Sequence, residues 1–285
     1  MTVTWRLFAL FLLGTLGCSH GGSTVDAARP VDEGPAPSQE WTLRFAVSGA
    51  RPLANLHLRL GADGRGELEI TAMGTMGVAA FADRAGRFRG VASPDLVLRL
   101  RKAIGRMSEV DPRAQAAGMP PMAMATIFVE EGGRRRQYEI GYDDASQAAV
   151  PLLQEVLGQM TVPVAAVQVV LTAEGGQARL ELVGLGEQPC ELVLLDPVFA
   201  GNSARVSVDV LDGDRTLDTV SLSHDDLVKA VDAGLLPRGR TSLAPGARLS
   251  LPLPTLPAGG RPVATVNFML AGPGPAQALA EIRTP

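Results

Sequence analysis

Histidine, cysteine and aromatic side chains are scarce: three His, two Cys and 4% aromatics in 285 residues. Apart from His20, near the N-terminus, the only imidazoles are His57 and His224. That leaves little material for His-based nucleophilic or metal-assisted catalysis. The chain holds no G-x-S-x-G elbow, no H-E-x-x-H helix and no phosphate loop ending in GK[ST]. Few aromatics argue against stacking platforms for sugars or single-stranded nucleic acid. Charge excess is also lacking, since the formal net charge is −4. Beyond the N-terminus no apolar run is long enough to span a bilayer as a helix.

The start of the chain is distinctive. Arg6 is the only formal charge before Asp26, and residues 7–16 are apolar apart from Gly14 and Thr15. Ten helical residues reach about 15 Å, half of a bilayer core, so the run is too short to span. A positive flank, a short apolar stretch and small residues give the layout of a signal peptide. The stretch Leu13-Gly14-Thr15-Leu16-Gly17-Cys18 resembles the lipobox of bacterial lipoproteins. Thr15 and Leu16 occupy, as if exchanged, the places where that family usually has Leu and a small residue. The resemblance covers about the first 20 residues. It implies cleavage after residue 17, a lipidated Cys18 and a membrane attachment that several acyl chains make almost permanent. Ser19 follows the cysteine, and the lack of Asp there leans toward the outer membrane of a Gram-negative cell.

Residues 19–40 are rich in Gly, Ser, Pro and Asp and read as a flexible tether. With Cys18 lipidated, Cys190 has no partner for a disulfide. It lies in an apolar, strand-like run and reads as a buried thiol.

Residues 41–160 read as an α+β domain. Alternation at 41–47, at 56–60 and at 67–70, with a turn at Asp63-Gly64, predicts strands and a hairpin. A second hairpin, 125–129 with 136–140, is expected to turn at Gly132-Gly133. Helices are expected over 94–107, capped by Ser93 with Pro94 first, and over 148–159. Residues 161–285 change character. Strand-like runs at 164–172, 177–184, 190–195, 204–211, 217–222, 247–254 and 261–270 predict an all-β sandwich of immunoglobulin-like architecture. Ser223 and Asp226 form a capping box before Leu227, Val228 and Val231. The turn Leu243-Ala244-Pro245-Gly246 is similar to one in BsuPI-like proteinase inhibitors, a resemblance of one turn and strand rhythm.

Four clusters are candidates for chemistry. Met119, Met122 and Met124, with Met73 and Met76 elsewhere, offer thioethers suited to Cu(I). A Pro-kinked loop whose Met residues fill a core edge explains them as well, and no His or Cys stands beside them. Asp209, Asp212 and Asp214 suggest calcium, but their spacing lacks the alternation and closing Glu of a calcium loop. Asp212-Gly213 reads better as a hairpin turn. The pairs Asp143-Asp144 and Asp225-Asp226 abut helix starts, where carboxylates meet the positive helix end. Basic residues gather at Arg99, Lys102 and Arg106 and at Arg134-Arg135-Arg136. Residues 41–160 carry fifteen Lys and Arg against thirteen Asp and Glu, too slight an excess for nucleic acid.

The expectation is an envelope lipoprotein held by lipid on Cys18. It needs no cofactor or metal, has no catalytic residues, and binds or scaffolds an unidentified protein partner. The alternative is a protease inhibitor or an enzyme of unrecognised type.

Overall fold

The computed structural model describes residues 41–49, 55–71, 81–110, 123–141, 143–174, 177–194, 205–251, 253, 255–256, 260–271 and 277–284. The chain divides into two units, Met1–Pro37 and Ser38–Pro285, and every described residue lies in the second. Cys18, the tether, Met73, Met76, Met119 and Met122 lie outside the described residues.

The fold is largely antiparallel β, with three helices among the described residues. Alternating sequences give β1 (Thr42–Gly49), β2 (Asn55–Gly61), β3 (Arg65–Ile70) and β4 (Arg84–Val91). Helix α1 (Pro94–Ile104) follows, then the hairpin β5 (Ala123–Glu131) and β6 (Arg134–Glu139), then α2 (Asp144–Gln159). Long strands β7 (Val162–Glu174) and β8 (Gln177–Gly186) lead to β9 (Cys190–Val193), β10 (Arg205–Asp212) and β11 (Arg215–Leu222). Helix α3 (His224–Asp232) precedes β12 (Arg240–Leu243), β13 (Arg248–Leu251), β14 (Arg261–Ala271) and β15 (Gln277–Arg283).

Nine strands form one sheet in the order β13-β8-β7-β4-β3-β2-β1-β5-β6. The other six form a second sheet, β11-β10-β14-β9-β12 with β15 on β14. The expected boundary at 160/161 falls at the start of β7. There the large sheet is continuous, because β7 pairs with β4 through Arg87 opposite Ala165 and Ala85 opposite Val167. The cores nonetheless part near that point. One core joins Leu43, Phe45, Leu58, Leu68 and Phe88 of the sheet to Leu96 and Leu100 of α1 and Leu153 and Val156 of α2. The other joins Ala85, Val167, Val169, Leu180 and Leu182 to Leu192, Val208, Val266 and Phe268 of the small sheet.

Side chains alternate across a strand, so these two cores lie on opposite faces of the large sheet. Phe88 turns toward the helices, whereas Ala85 turns toward the small sheet. The helices cover one face over the β4–β6 half. The small sheet covers the other face over β7, β8 and β13.

Local chemistry explains the helix ends. Ser93 accepts from the Leu96 N–H at 3.2 Å, and Pro94 opens α1. That helix ends three residues short of 107: the Gly105 N–H still bonds the Arg101 carbonyl, but Arg106 and Met107 then tighten into turns onto the Ala103 and Ile104 carbonyls. Helix α2 starts four residues before the expected 148. Asp143 caps it by accepting from the Ser146 N–H at 3.0 Å. Its first turn is Ala and polar residues, which apolar periodicity does not register. The capping box of α3 is present, with Asp226 accepting from the Ser223 N–H at 3.0 Å and Ser223 Oγ accepting from the Asp226 N–H at 3.2 Å.

The Gly132-Gly133 turn has φ of +56° and +75°, the pattern of a type I′ loop. The β10–β11 turn is offset by one residue from Asp212-Gly213. Asp212 pairs with Arg215, so Gly213 and Asp214 form the loop. Gly213, at φ +58°, takes the first central place, as a type II′ loop requires.

Candidate functional site

Among the described residues, no layer covers the β3–β6 part of the large sheet on one of its faces. On the face opposite the helices, β3, β2, β1, β5 and β6 turn polar side chains outward. Register sets these side chains in rows. One row runs Arg87, Glu69, His57, Ala46, Thr126, Glu139 from β4 to β6. The next runs Arg89, Glu67, Arg59, Arg44, Phe128, Gln137. Arg44, His57, Arg59, Glu67, Arg87, Arg89, Glu130 and Arg135 are exposed.

At the β4 end the charges are already used. Arg89 pairs with Glu187 at 2.6 Å, and Arg87 donates to Gln188 Oε1 at 2.8 Å. Further along, Arg44 and Arg59 stand directly opposite each other, and neither forms an ion pair among the described residues. Arg135 leans out of its own row, and its Cζ lies 4.7 Å from the Phe128 ring centroid, a cation–π stack. Three arginines thus occupy neighbouring positions of the lattice, Arg44 beside Phe128, Arg59 beside Arg44 and Arg135 over the Phe128 ring.

The sequence-predicted residues fall elsewhere. Cys190 is buried at the start of β9, opposite Leu243, and burial pushes its thiol up to about 12. A thiol held protonated is a poor nucleophile. Met124 belongs to β5, and its side chain lies outside the described residues. Asp209 accepts a hydrogen bond from Thr219 Oγ1 at 2.8 Å, while Asp212 and Asp214 flank Gly213 in the hairpin. Among the described residues no group of three His, Cys, Asp or Glu is arranged to hold a metal ion.

The basic groupings divide. Arg99 is paired with Asp95 at 3.0 Å and with Glu155 at 3.3 Å. Arg134 meets Glu109 at 3.6 Å, and Arg136 meets Glu131 at 3.3 Å. Tyr138 is the first cause that raises the Arg136 guanidinium above its ordinary value. Arg135 alone turns to the open face.

The edge strand β11 is exposed along most of its length and pairs only with β10 among the described residues. Its Thr219 N–H donates to the adjacent Asp218 carboxylate at 2.8 Å. A carboxylate on an edge opposes the addition of a further strand. The open face is therefore the better candidate surface. Strand alternation gave its polar residues in the sequence, but their neighbours depend on strand order, which local pattern does not carry.

Compared with known proteins, the chain has no significant match to a family model, a curated protein or a solved structure.

Proposed function

We propose that this protein is a lipid-anchored component of the bacterial cell envelope that binds or scaffolds a partner without catalysis. In this reading residues 1–17 are removed, Cys18 carries lipid, and 19–40 tether the body to the membrane. Residues 41–160 form an α+β part and 161–285 an immunoglobulin-like sandwich. Packing of β7, β8 and β13 on the small sheet through one core supports the sandwich.

The observation that carries the binding role is the uncovered half-face of the nine-stranded sheet. The β7, β8 and β13 half of the opposite face also bears no layer among the described residues, but its charges are satisfied within it, Arg179 and Arg248 both pairing with Glu181. Over β3–β6, Arg44, Arg59, Glu67, Glu130 and Arg135 stand exposed around half-buried Phe128. Such a surface offers many directional contacts over a wide area, which suits a macromolecular partner.

A photo-crosslinking residue placed at Thr42, on this face, tests the role in intact membranes. A discrete adduct is expected from Thr42 and not from Lys229 on α3. No adduct from Thr42 overturns the binding role. Membrane fractionation of Cys18→Ala tests the anchor separately, and unchanged sedimentation with membranes removes the lipidation claim.

A further inference from the structure

Building on the binding role of the open face, we propose that Arg44, Arg59 and Arg135 bind carboxylate side chains on an acidic segment of a partner protein. The cross-strand pair Arg44–Arg59 is the centre of this site. Side chains directly opposite in an antiparallel pair have Cβ atoms about 4.5–5.5 Å apart. From side chains rooted this close, both guanidinium groups reach a single anion placed between them, and that anion removes any repulsion between the like charges. Each presents a planar fork of N–H donors that matches the two oxygens of a carboxylate. Phe128 lies beside Arg44 on the other side, with Arg135 stacked on it. Stacking holds the Arg135 plane while its N–H edge remains available to donate. The ring supplies an apolar contact for the aliphatic part of an acidic segment.

The surroundings select the class of anion. Glu67 is directly opposite Arg59 on its other flank, Glu69 is opposite His57, and Glu130 is opposite Thr42. The basic centre is therefore bounded by carboxylates. A uniformly anionic surface, such as a lipid bilayer, would have to lie against those carboxylates as well. A segment with a few discrete acidic side chains reaches the arginines without meeting them. Of the other arginines on this face, Arg87 and Arg89 are engaged by Gln188 and Glu187 and Arg65 by Asp63, which leaves the anion to the central three.

The test uses the full chain in neutral detergent micelles. The probe is a fluorescein-labelled decapeptide of alternating Glu and Gly with one Phe, read by anisotropy. Its Gln counterpart is the control. Saturable binding of the Glu peptide only is expected, weakening with added salt. The double variant R44Q/R59Q is expected to bind at least about tenfold more weakly, with R44Q and R59Q each intermediate. Both side chains are exposed, and thermal melts of the single variants verify that the fold is kept. R44K/R59K is expected to recover only part of the affinity, because Lys supplies charge without the fork. No saturable binding, or equal binding by R44Q/R59Q, overturns the proposal. Displacement of the peptide by phosphatidylglycerol in the micelles, at equal charge concentration, assigns the face to lipid and also overturns it. A Thr42 adduct that survives R44Q/R59Q keeps the binding role and removes this chemistry.

Discussion

Arg44 on β1 and Arg59 on β2 face one another across an antiparallel pair, with no ion pair to relieve them among the described residues. Like charges directly opposite destabilise a sheet, and opposite charges stabilise it by about 0.2–1 kcal/mol. Arg44→Glu is therefore expected to raise stability by an amount in that range, read by urea unfolding at low salt. The gain should shrink as salt screens the pair. The same substitution should abolish binding of the acidic peptide. Unchanged or lowered stability would mean that the guanidinium groups avoid one another by rotating apart.

A second prediction concerns how closely α2 approaches the sheet. A Cβ built on Gly90 would lie 2.0 Å from the Gln159 carbonyl oxygen and 2.8 Å from the Met160 Cα. Both are backbone atoms, so the end of α2 must retreat from β4. Gly90→Ala is expected to cost about 1–3 kcal/mol, the range for overpacking. Gly158, inside α2, has nothing within 4 Å of its added Cβ. Gly158→Ala should instead stabilise by up to about 1 kcal/mol, as Ala is the better helix former. Urea midpoints that move the same way for both variants would contradict this account.

The sequence was legible where local chemistry decides. Ser93, Ser223 and Asp226 act as caps where hydroxyl and carboxylate spacing places them. Most of the expected strand runs are strands, with ends shifted by a few residues. Strand β4 received no expectation, because beside Phe88 its buried positions hold only Ala85 and Gly86 among arginines and give a faint apolar alternation. Short β12, with only Leu243 buried, is hidden for the same reason. Pairing of β4 with β7 joins residues far apart in sequence, so a chain read in segments shows two parts where the large sheet is one. The open face was illegible as a site, since Arg44, Arg59 and Arg135 become neighbours only through strand order.

The capped helices make a pH-dependent contribution. Hydrogen bonds from Ser146, first from its hydroxyl and then from its backbone, hold the Asp143 carboxyl below the ordinary range. Ser223 does the same for Asp226, again through its hydroxyl first. A carboxyl whose folded pKa is lowered stabilises the fold above its unfolded value, near 3.9. That stability is lost as pH falls through the lowered folded value. Unfolding free energy should therefore decline below about pH 4, and Asp226→Asn should flatten part of that decline. Side-chain carboxyl shifts followed by NMR should titrate below those of unpaired Asp. A midpoint for Asp226 at or above the ordinary value would refute the assignment.

Cys190 gives the last prediction. Its side chain is packed with Leu192, Leu194 and Leu243 in the core between the sheets, at 5% exposure. Desolvation first, then the nearby Glu191 charge, raises its thiol to about 12. Only the thiolate alkylates, and a free thiol near 8.5 is partly ionised at pH 8. Iodoacetamide at pH 8 should modify Cys190 in the folded chain at least about 10³-fold more slowly than in urea. Mass spectrometry of the peptide containing Cys190 reads this site separately from Cys18. Replacement should follow the same logic. Cys190→Ala leaves a small void, whereas Cys190→Ser buries a hydroxyl in an apolar site at a cost of about 1–3 kcal/mol. The serine variant is thus expected to unfold at lower urea than the alanine variant. Rapid labelling of the folded chain, together with a harmless serine, would place this thiol in contact with water rather than in the core.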